Sequence, residues 1–451
     1  MTLRRVFTLF APALAACVAS ETSGPLRHDG GETVVLDAGI EQQRPDKGDV
    51  AVAPPTPDAP VAVPVPDAAV TEVAVDGAFP SDWWNAVFSL RRRLIVDTRL
   101  MSSAATLSDF PIALTIPANT VTSEVAGVAG ADVRFVDAAG DVLPCDIEAW
   151  DSQGTSVVWL KLPSLPIADN APIYMYYDAS GTPPPAEDSH AVWPAPYAAV
   201  WHFAGKADDA TSNHFDGATI QAAFDVGKVG QAAKLNGASH DHIGLSHGVR
   251  LISGASAVTE SAWVRTGAID KAGWGAILAI GTADTTGDLG RTQLYVWGNS
   301  ATYPYGGQPL NDALYGEINP DEAPSGWDFV SSPVNAIVPG TWHYVTVVFD
   351  VKGKSTSVYV DGAMVGGPLE TPGHAGGTPR PGDWTATTFS TTPTDRVVIG
   401  AQEDLSHGFY DGLIDELRVE TVARSGQWIA AQAIAVTGDA ITLGPEEHAL
   451  P

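Results

Sequence analysis

Basic residues and cysteine are what this sequence has least of. Lys and Arg number 24 against 53 Asp and Glu, for a formal charge of -29. That leaves no basic footprint for a phosphate backbone, so nucleic acid is excluded as an expected partner. Two cysteines, Cys17 and Cys145, cannot build a disulfide framework. No Gly-x-Ser-x-Gly elbow and no His-Glu-x-x-His helix occurs. Charged residues make up only 17%, whereas 45 Gly and 34 Pro punctuate the chain, a balance that suits turn-rich β domains better than helical bundles. At 451 residues with 45% hydrophobic content, the chain has room for two or three domains with real cores.

The first 17 residues combine Arg4-Arg5, an apolar run from Val6 to Leu14, and Leu14-Ala15-Ala16-Cys17. A basic start, about ten apolar residues and small residues before a cut read as a secretory signal, too short to span a bilayer permanently. The segment resembles the bacterial lipobox, which implies lipidation of Cys17 as the mature N-terminus and, with Val18 rather than Asp after it, placement at the outer membrane. Anchoring through two or more acyl chains is stable where one is marginal. Cys145 would then have no intrachain partner and behave as a small buried hydrophobe. From 18 to 78 the composition is Pro, Ala, Val, Asp and Gly without apolar periodicity, as in Ala51-Val52-Ala53-Pro54-Pro55-Thr56-Pro57-Asp58. Closely spaced prolines remove backbone donors and favour polyproline II, so this stretch is expected to be an extended, disordered tether.

Short β-branched and aromatic runs fill the rest. Between 79 and 181 they include Phe88 to Val96, Phe110-Pro111-Ile112-Ala113-Leu114, Cys145-Asp146-Ile147-Glu148-Ala149-Trp150, Val158-Trp159-Leu160-Lys161-Leu162-Pro163 and Ile173-Tyr174-Met175-Tyr176-Tyr177. About six such runs, roughly ten residues apart and separated by Gly, Pro and Asp, describe a small β-sandwich. With Asp109-Phe110-Pro111 and Gly130-Ala131-Asp132-Val133-Arg134-Phe135, these residues resemble the bacterial domain of unknown function 2341. A Pro-rich hinge, 182–194, follows.

From 195 to 446 the landmarks are Val200-Trp201-His202-Phe203, Ser261-Ala262-Trp263-Val264-Arg265, Trp342-His343-Tyr344, Tyr359-Val360-Asp361-Gly362, Val398-Ile399-Gly400 and Gly412-Leu413-Ile414-Asp415-Glu416-Leu417-Arg418. Asp-Gly marks a tight hairpin, where Gly supplies positive φ without a Cβ clash. In order, these runs resemble the laminin-G-like jelly roll of the concanavalin-A-like lectin/glucanase architecture. The expected fold class is therefore all-β: a small β-sandwich, then a concanavalin-A-like jelly-roll sandwich, behind a disordered N-terminal tether.

The resemblance implies a structural calcium ion, Ca2+, near the first and last strands, with Asp208, Asp209, Asn213 and Asp415 as the matching positions. The other reading makes Asp208 and Asp209 a solvated turn and has Asp415 pair with Arg418 or cap a loop backbone. His240-Asp241-His242 would put two imidazoles on one strand face, but two ligands are not a site. The glucanases of this architecture carry a Glu-x-Asp-x-x-Glu strand; none occurs here, and Asp415 and Glu416 are expected to face opposite ways along a strand, so no catalytic residue is assigned. The insertion from Gly281 to Pro339 is rich in aromatics, with Tyr295 and Trp297 expected in a strand and the others on long loops. Tyr303, Tyr305 and Trp327, with Trp384 from a later Gly/Pro-rich loop, are the ligand-binding candidates, because exposed rings stack on sugars or partner proteins. The same aromatics could instead pin the insertion to the sheet as a mini-core.

Together these features point to a non-catalytic, lipid-anchored envelope protein binding a glycan or an envelope or extracellular protein. The alternatives are a carbohydrate-active hydrolase and a purely structural envelope protein. A sealed pocket lined by converging carboxylates would favour a catalyst.

Overall fold

The computed structural model describes residues 82–449 apart from 102–105, 122–125, 168–170, 248, 268–272, 282–290, 299–310, 322–327, 367–383 and 392–395. Cys17, the tether 18–78, Tyr303, Tyr305 and Trp327 lie outside the described residues. None of the described helices is long and apolar enough to cross a membrane.

The first sandwich has two antiparallel sheets. One runs, in spatial order, β22 (Ile441–His448), β1 (Phe88–Val96), β6 (Tyr174–Ala179) and β3 (Arg134–Val136); the other runs β2 (Leu107–Ile116), β5 (Ser156–Leu165) and β4 (Cys145–Ala149). Pro111 lies in β2, at a sheet edge, where a missing donor costs least. A single turn, α1 (Thr98–Met101), and a longer helix, α2 (Gly426–Ala435), complete it. Cys145 packs against this core, and burial pushes its thiol up to about 11.

The jelly-roll expectation assigned everything to 446 to the second domain, but strand pairing moves the last segment into the first. Residues from Leu90 to Val96 pair with residues from His448 back to Ile441. Charge explains the choice of partner: Arg91 Nε meets Glu447 at 2.8 Å and Arg92 meets Glu446 at 3.2 Å. Pro445 falls at the register shift opposite Arg93, on an edge strand. The preceding helix α2 is capped by Ser425, whose Oγ accepts from Trp428 N at 3.2 Å. It buries Trp428, Ala431 and Ala435 in the first core, with the Trp428 ring 4.9 Å from Phe110.

The second sandwich is the expected jelly roll. One sheet runs β19 (Ala363–Gly366), β18 (Ser355–Val360), β17 (His343–Asp350), β12 (Ala257–Thr266), β21 (Gly412–Glu420), β10 (Gln231–Leu235) and β9 (Ala223–Val226), with β7 (Tyr197–Trp201) also paired to β21. The facing sheet runs β16 (Asp328–Ser331), β15 (Leu314–Ile318), β14 (Thr292–Trp297), β13 (Trp274–Gly281), β20 (Arg396–Ile399), β11 (His242–Leu245) and β8 (Gly217–Gln221). Val258, Val264, Val345, Val347 and Phe349 from one sheet meet Leu278, Ile280, Leu294, Val296 and Leu314 from the other. Asp361-Gly362 forms the two-residue hairpin between β18 and β19, with φ of 51° and 81°.

Three expectations change. The stretch from 281 to 339 supplies β14, β15 and β16, so Tyr315 lies in a strand, not on a long loop. Tyr295, Trp297, Tyr315 and Phe329 are buried together in a cluster separate from the main core, the mini-core arrangement. Trp384 is 5% exposed; its indole N–H donates to the Val351 carbonyl at 2.9 Å, so this ring belongs to the core and offers no face for stacking. His240 and His242 do not share a strand face. His240 ends a 3-10 turn with φ 60° and stacks on Phe409 at 4.2 Å, while His242 opens β11.

Candidate functional site

The residues from 182 to 194 do not form a free hinge. Asp188 caps the 3-10 turn Ser189–Val192, and Val192 and Trp193 are buried between the sandwiches beside Trp159, Val157, Val200, Trp263 and Val436. At this junction a cleft of about 320 Å³ opens, lined among others by Asp146, Glu148, His190, His202, Asp208 and Asp216.

β21 explains why charge collects there. One edge of this strand is shared: β10 pairs with 412–414 and β7 with 417–420, so Asp415 and Glu416 fall between them. Across from them, Ser261 and Trp263 of β12 oppose Arg418 and Asp415, two steps against three, which makes a bulge. Glu416 takes φ 52°, a left-handed conformation that costs a non-Gly residue about 1 kcal/mol or more. The alternation expected for Asp415 and Glu416 therefore fails, and both side chains are fully buried beside Glu148.

His202, just after β7, is the hub. Its Nδ1 lies 2.8 and 3.0 Å from the two Glu416 oxygens, its Nε2 3.4 Å from Asp146, and Nδ1 is 4.0 Å from Glu148. Trp159 stacks on the imidazole at 5.2 Å and donates its indole N–H to Glu148 at 3.0 Å. Arg418 donates to Glu416 at 3.0 Å, with its guanidinium 4.7 Å from Trp159 and 4.9 Å from Trp193. Trp193 in turn donates to Asp146 at 3.0 Å.

Electrostatics follow from that packing. Burial opposes charge on His202, but the Glu416 charge, hydrogen bonds to Asp146 and Glu416, and Glu148 outweigh it, holding the imidazole well above its ordinary range. Burial and then the Glu416 charge push Glu148 up to about 8, against His202 and Trp159. Asp415 is likewise pushed well up, by burial and Glu416, despite accepting from Lys228 N and Val229 N at 2.7 and 2.9 Å. Burial would raise Asp146 too, but its bond to His202 and that residue's charge bring it below the usual range.

The four calcium candidates are not gathered by this fold. Asp209 accepts from Val200 N, Thr211 N, Phe215 N and the Thr211 hydroxyl at 2.8 to 3.0 Å, so its oxygens cap a loop. Asp208 pairs with Lys206 at 2.7 Å, Asn213 donates to the Ala198 carbonyl at 2.9 Å, and Asp415 caps the Lys228-Val229 turn. Calcium wants six to eight oxygens, and these residues, engaged one by one elsewhere, do not fit it. Among the described residues, the trio whose ligand atoms do converge, within 4.8 Å, is Glu148, His202 and Glu416. Each belongs to a motif visible in the sequence; only the bulge and the domain contact bring them together.

A second cleft lies on the first sandwich. About 420 Å³ in volume, it is walled by Asp82, Trp83 and Trp84 on one side and the Asp137 to Gly140 turn on the other, with Tyr174 and Tyr176 between. Arg91 holds the walls, its guanidinium 4.7 Å from the Trp83 ring and 4.1 Å from Tyr174, and pairs with Asp82 at 2.9 Å. Trp83, Trp84 and Tyr174 are half-buried and Asp82 is exposed. Sequence reading passed over this groove because it looked for aromatics only in the jelly-roll loops.

Two family models match in succession: "Domain of unknown function (DUF2341)" over residues 129–223 and "Concanavalin A-like lectin/glucanases superfamily" over 236–430. The chain carries a DUF2341 segment followed by a concanavalin A-like segment. The DUF2341 match runs through the junction turn into β7 and β8, in keeping with the packing of that segment. Among curated proteins none matches the chain. Solved structures similar to it include domain 4 of an extracellular GH43 arabinanase from Geobacillus stearothermophilus with arabinotriose, at 20% identity over 52% of this chain and 98% of that one, TM-score 0.34. The CBM40 of a Ruminococcus gnavus IT-sialidase with α2,3-sialyllactose matches at 15% identity over 40% and 83%, TM-score 0.29. The binding domain of Paraclostridial Mosquitocidal Protein 1 matches at 11% over 52% and 51%, TM-score 0.36. With TM-scores this low, the likenesses carry no weight for function.

Proposed function

We propose that this chain is a non-catalytic glycan-binding module of the cell envelope, held at the outer membrane through a lipid on Cys17. Support for the ligand class comes from the lectin/glucanase family match of the second domain. The observation that carries the reading is the aromatic groove of the first sandwich. There, partly exposed Trp83, Trp84 and Tyr174 share one open space with the carboxylates of Asp82 and Asp137. Flat rings stack on the apolar faces of sugars, and carboxylates accept their hydroxyl protons. A glycan array probed with the purified chain tests this. Binding is expected, with Trp84→Ala weakening it by about tenfold, or about 1.4 kcal/mol. An array without signal, or a Trp84→Ala chain that binds as well as the parent, overturns it.

One observation favours a hydrolase: Glu148, carrying a proton up to about pH 8, lies beside Glu416, the pairing of acid and carboxylate that glycoside hydrolysis uses. Against that reading, the Glu416 side chain is wholly buried and stands outside the residues lining the cleft. Polysaccharide turnover that Glu148→Gln abolishes would establish it.

A further inference from the structure

We propose that Glu148, His202 and Glu416 bind one divalent transition-metal ion that ties the two domains together. Glu148 comes from β4 of the first sandwich, His202 from the end of β7 and Glu416 from β21 of the second, so the ion would sit across the junction. One ligand atom from each lies within 4.8 Å of the others. An ion with bonds of about 2.0–2.2 Å holds its ligands roughly 3–4 Å apart, so it would replace the proton between His202 and Glu416, opening their 2.8 Å contact slightly and drawing Glu148 in from 4.0 Å.

Three further features point to a cation. First, Glu148 Oε1 is buried without a hydrogen-bond partner, on a side chain that is 1% exposed. Buried polar atoms are normally satisfied, and each orphan costs about 1–3 kcal/mol. Second, two carboxylates converge away from water, an arrangement that a positive charge between them stabilises. A divalent ion together with Arg418 supplies three positive charges against Glu148, Glu416 and Asp146. Third, the outer partners are in place: Trp159 N–H on Glu148, Arg418 on Glu416 and Asp146 at the other nitrogen of His202 orient the three ligands. One imidazole with carboxylates suits zinc or its first-row neighbours, whereas calcium and magnesium take oxygen. The proposal is independent of the glycan reading.

The test uses the full chain, stripped with EDTA and desalted, then loaded with Zn2+, with Ca2+ or with Mg2+. Metal retained after a second desalting is measured by elemental analysis, alongside the thermal midpoint. Expected are one Zn2+ per chain, a raised midpoint with Zn2+ alone, and at least about tenfold weaker binding in Glu148→Gln. His190→Ala, at the exposed cleft mouth, should bind as the parent does. Co2+ loaded in place of Zn2+ gives a visible spectrum of nitrogen and oxygen ligation from the parent chain, which requires no variant to fold. No retained Zn2+, retention unchanged in a folded Glu148→Gln, loss in His190→Ala, or Co2+ without that spectrum would each overturn the proposal.

Discussion

The two sandwiches solve the same problem differently. The concanavalin A-like domain closes on itself, its seven- and eight-stranded sheets burying Val345, Val347 and Phe349 against Leu278, Ile280 and Leu294. The first sandwich borrows: its edge strand β22 and its helix α2 come from the far end of the chain, after the jelly roll is complete. Buried acids repeat the contrast. Glu260, within the jelly roll, has one hydroxyl partner, Thr292 at 2.7 Å, and burial alone pushes it up to about 8. Glu148, between the sandwiches, meets His202, the indole N–H of Trp159 and a second carboxylate, Glu416. Both carboxyls are pushed up to about 8, but Glu260 by burial alone and Glu148 by burial and the Glu416 charge, with His202 and Trp159 pulling the other way. The consequence is that the first sandwich is completed by the segment that follows its neighbour.

Five changes would break or sharpen that contrast. Ending the chain at Asp439 has the largest expected effect: it removes β22, exposes the β1 edge and takes Ile441 out of the first core. The first sandwich should become protease-sensitive at once, and the jelly roll, deprived of the shared interface, should become sensitive at a lower temperature than in the full chain, read by limited proteolysis and mass spectrometry across a temperature series. Next, Arg418→Met leaves Glu416 in a dry site without its guanidinium partner and should cost about 3–5 kcal/mol by denaturant unfolding. Glu260→Gln acts on pH dependence. The folded pKa of Glu260 is about 8, above its unfolded value of about 4.5; the native state therefore holds more protons between those values, and this group's contribution to stability is lost as pH rises from 4.5 through 8. Glu260→Gln should flatten that decline, seen as thermal midpoints across the window. Smallest is Asp208→Ala, an exposed partner of Lys206, which should change stability by less than about 0.5 kcal/mol, whereas Asp209→Ala, losing four donors' acceptor, should cost about 1–3 kcal/mol.

Much of the fold was legible because its signals are local. Alternating runs closed by Gly or Asp-Gly gave the strands, and Asp361-Gly362 turned out to need positive φ at both positions. What was not legible depends on partners distant in sequence. Ile441 to His448 reads as an ordinary closing strand; its acidic pair Glu446-Glu447 chooses Arg91-Arg92, some 350 residues earlier. Trp384 sits in a Gly/Pro-rich stretch that suggests exposure, yet a single bond to Val351 and the core beneath it keep the ring inside. The junction was hidden by one backbone angle. Strand alternation separates Asp415 from Glu416, and a bulge with a glutamate at φ 52° is not written in any pattern of residue types.

The central claim is that the two domains form one folded unit, joined by α2, β22 and the buried charges around His202. Scanning calorimetry of the full chain tests it most directly. The account predicts a single cooperative transition for both sandwiches, shifted as a whole by Arg418→Met. Two separate transitions, with Arg418→Met moving only one of them, would contradict it.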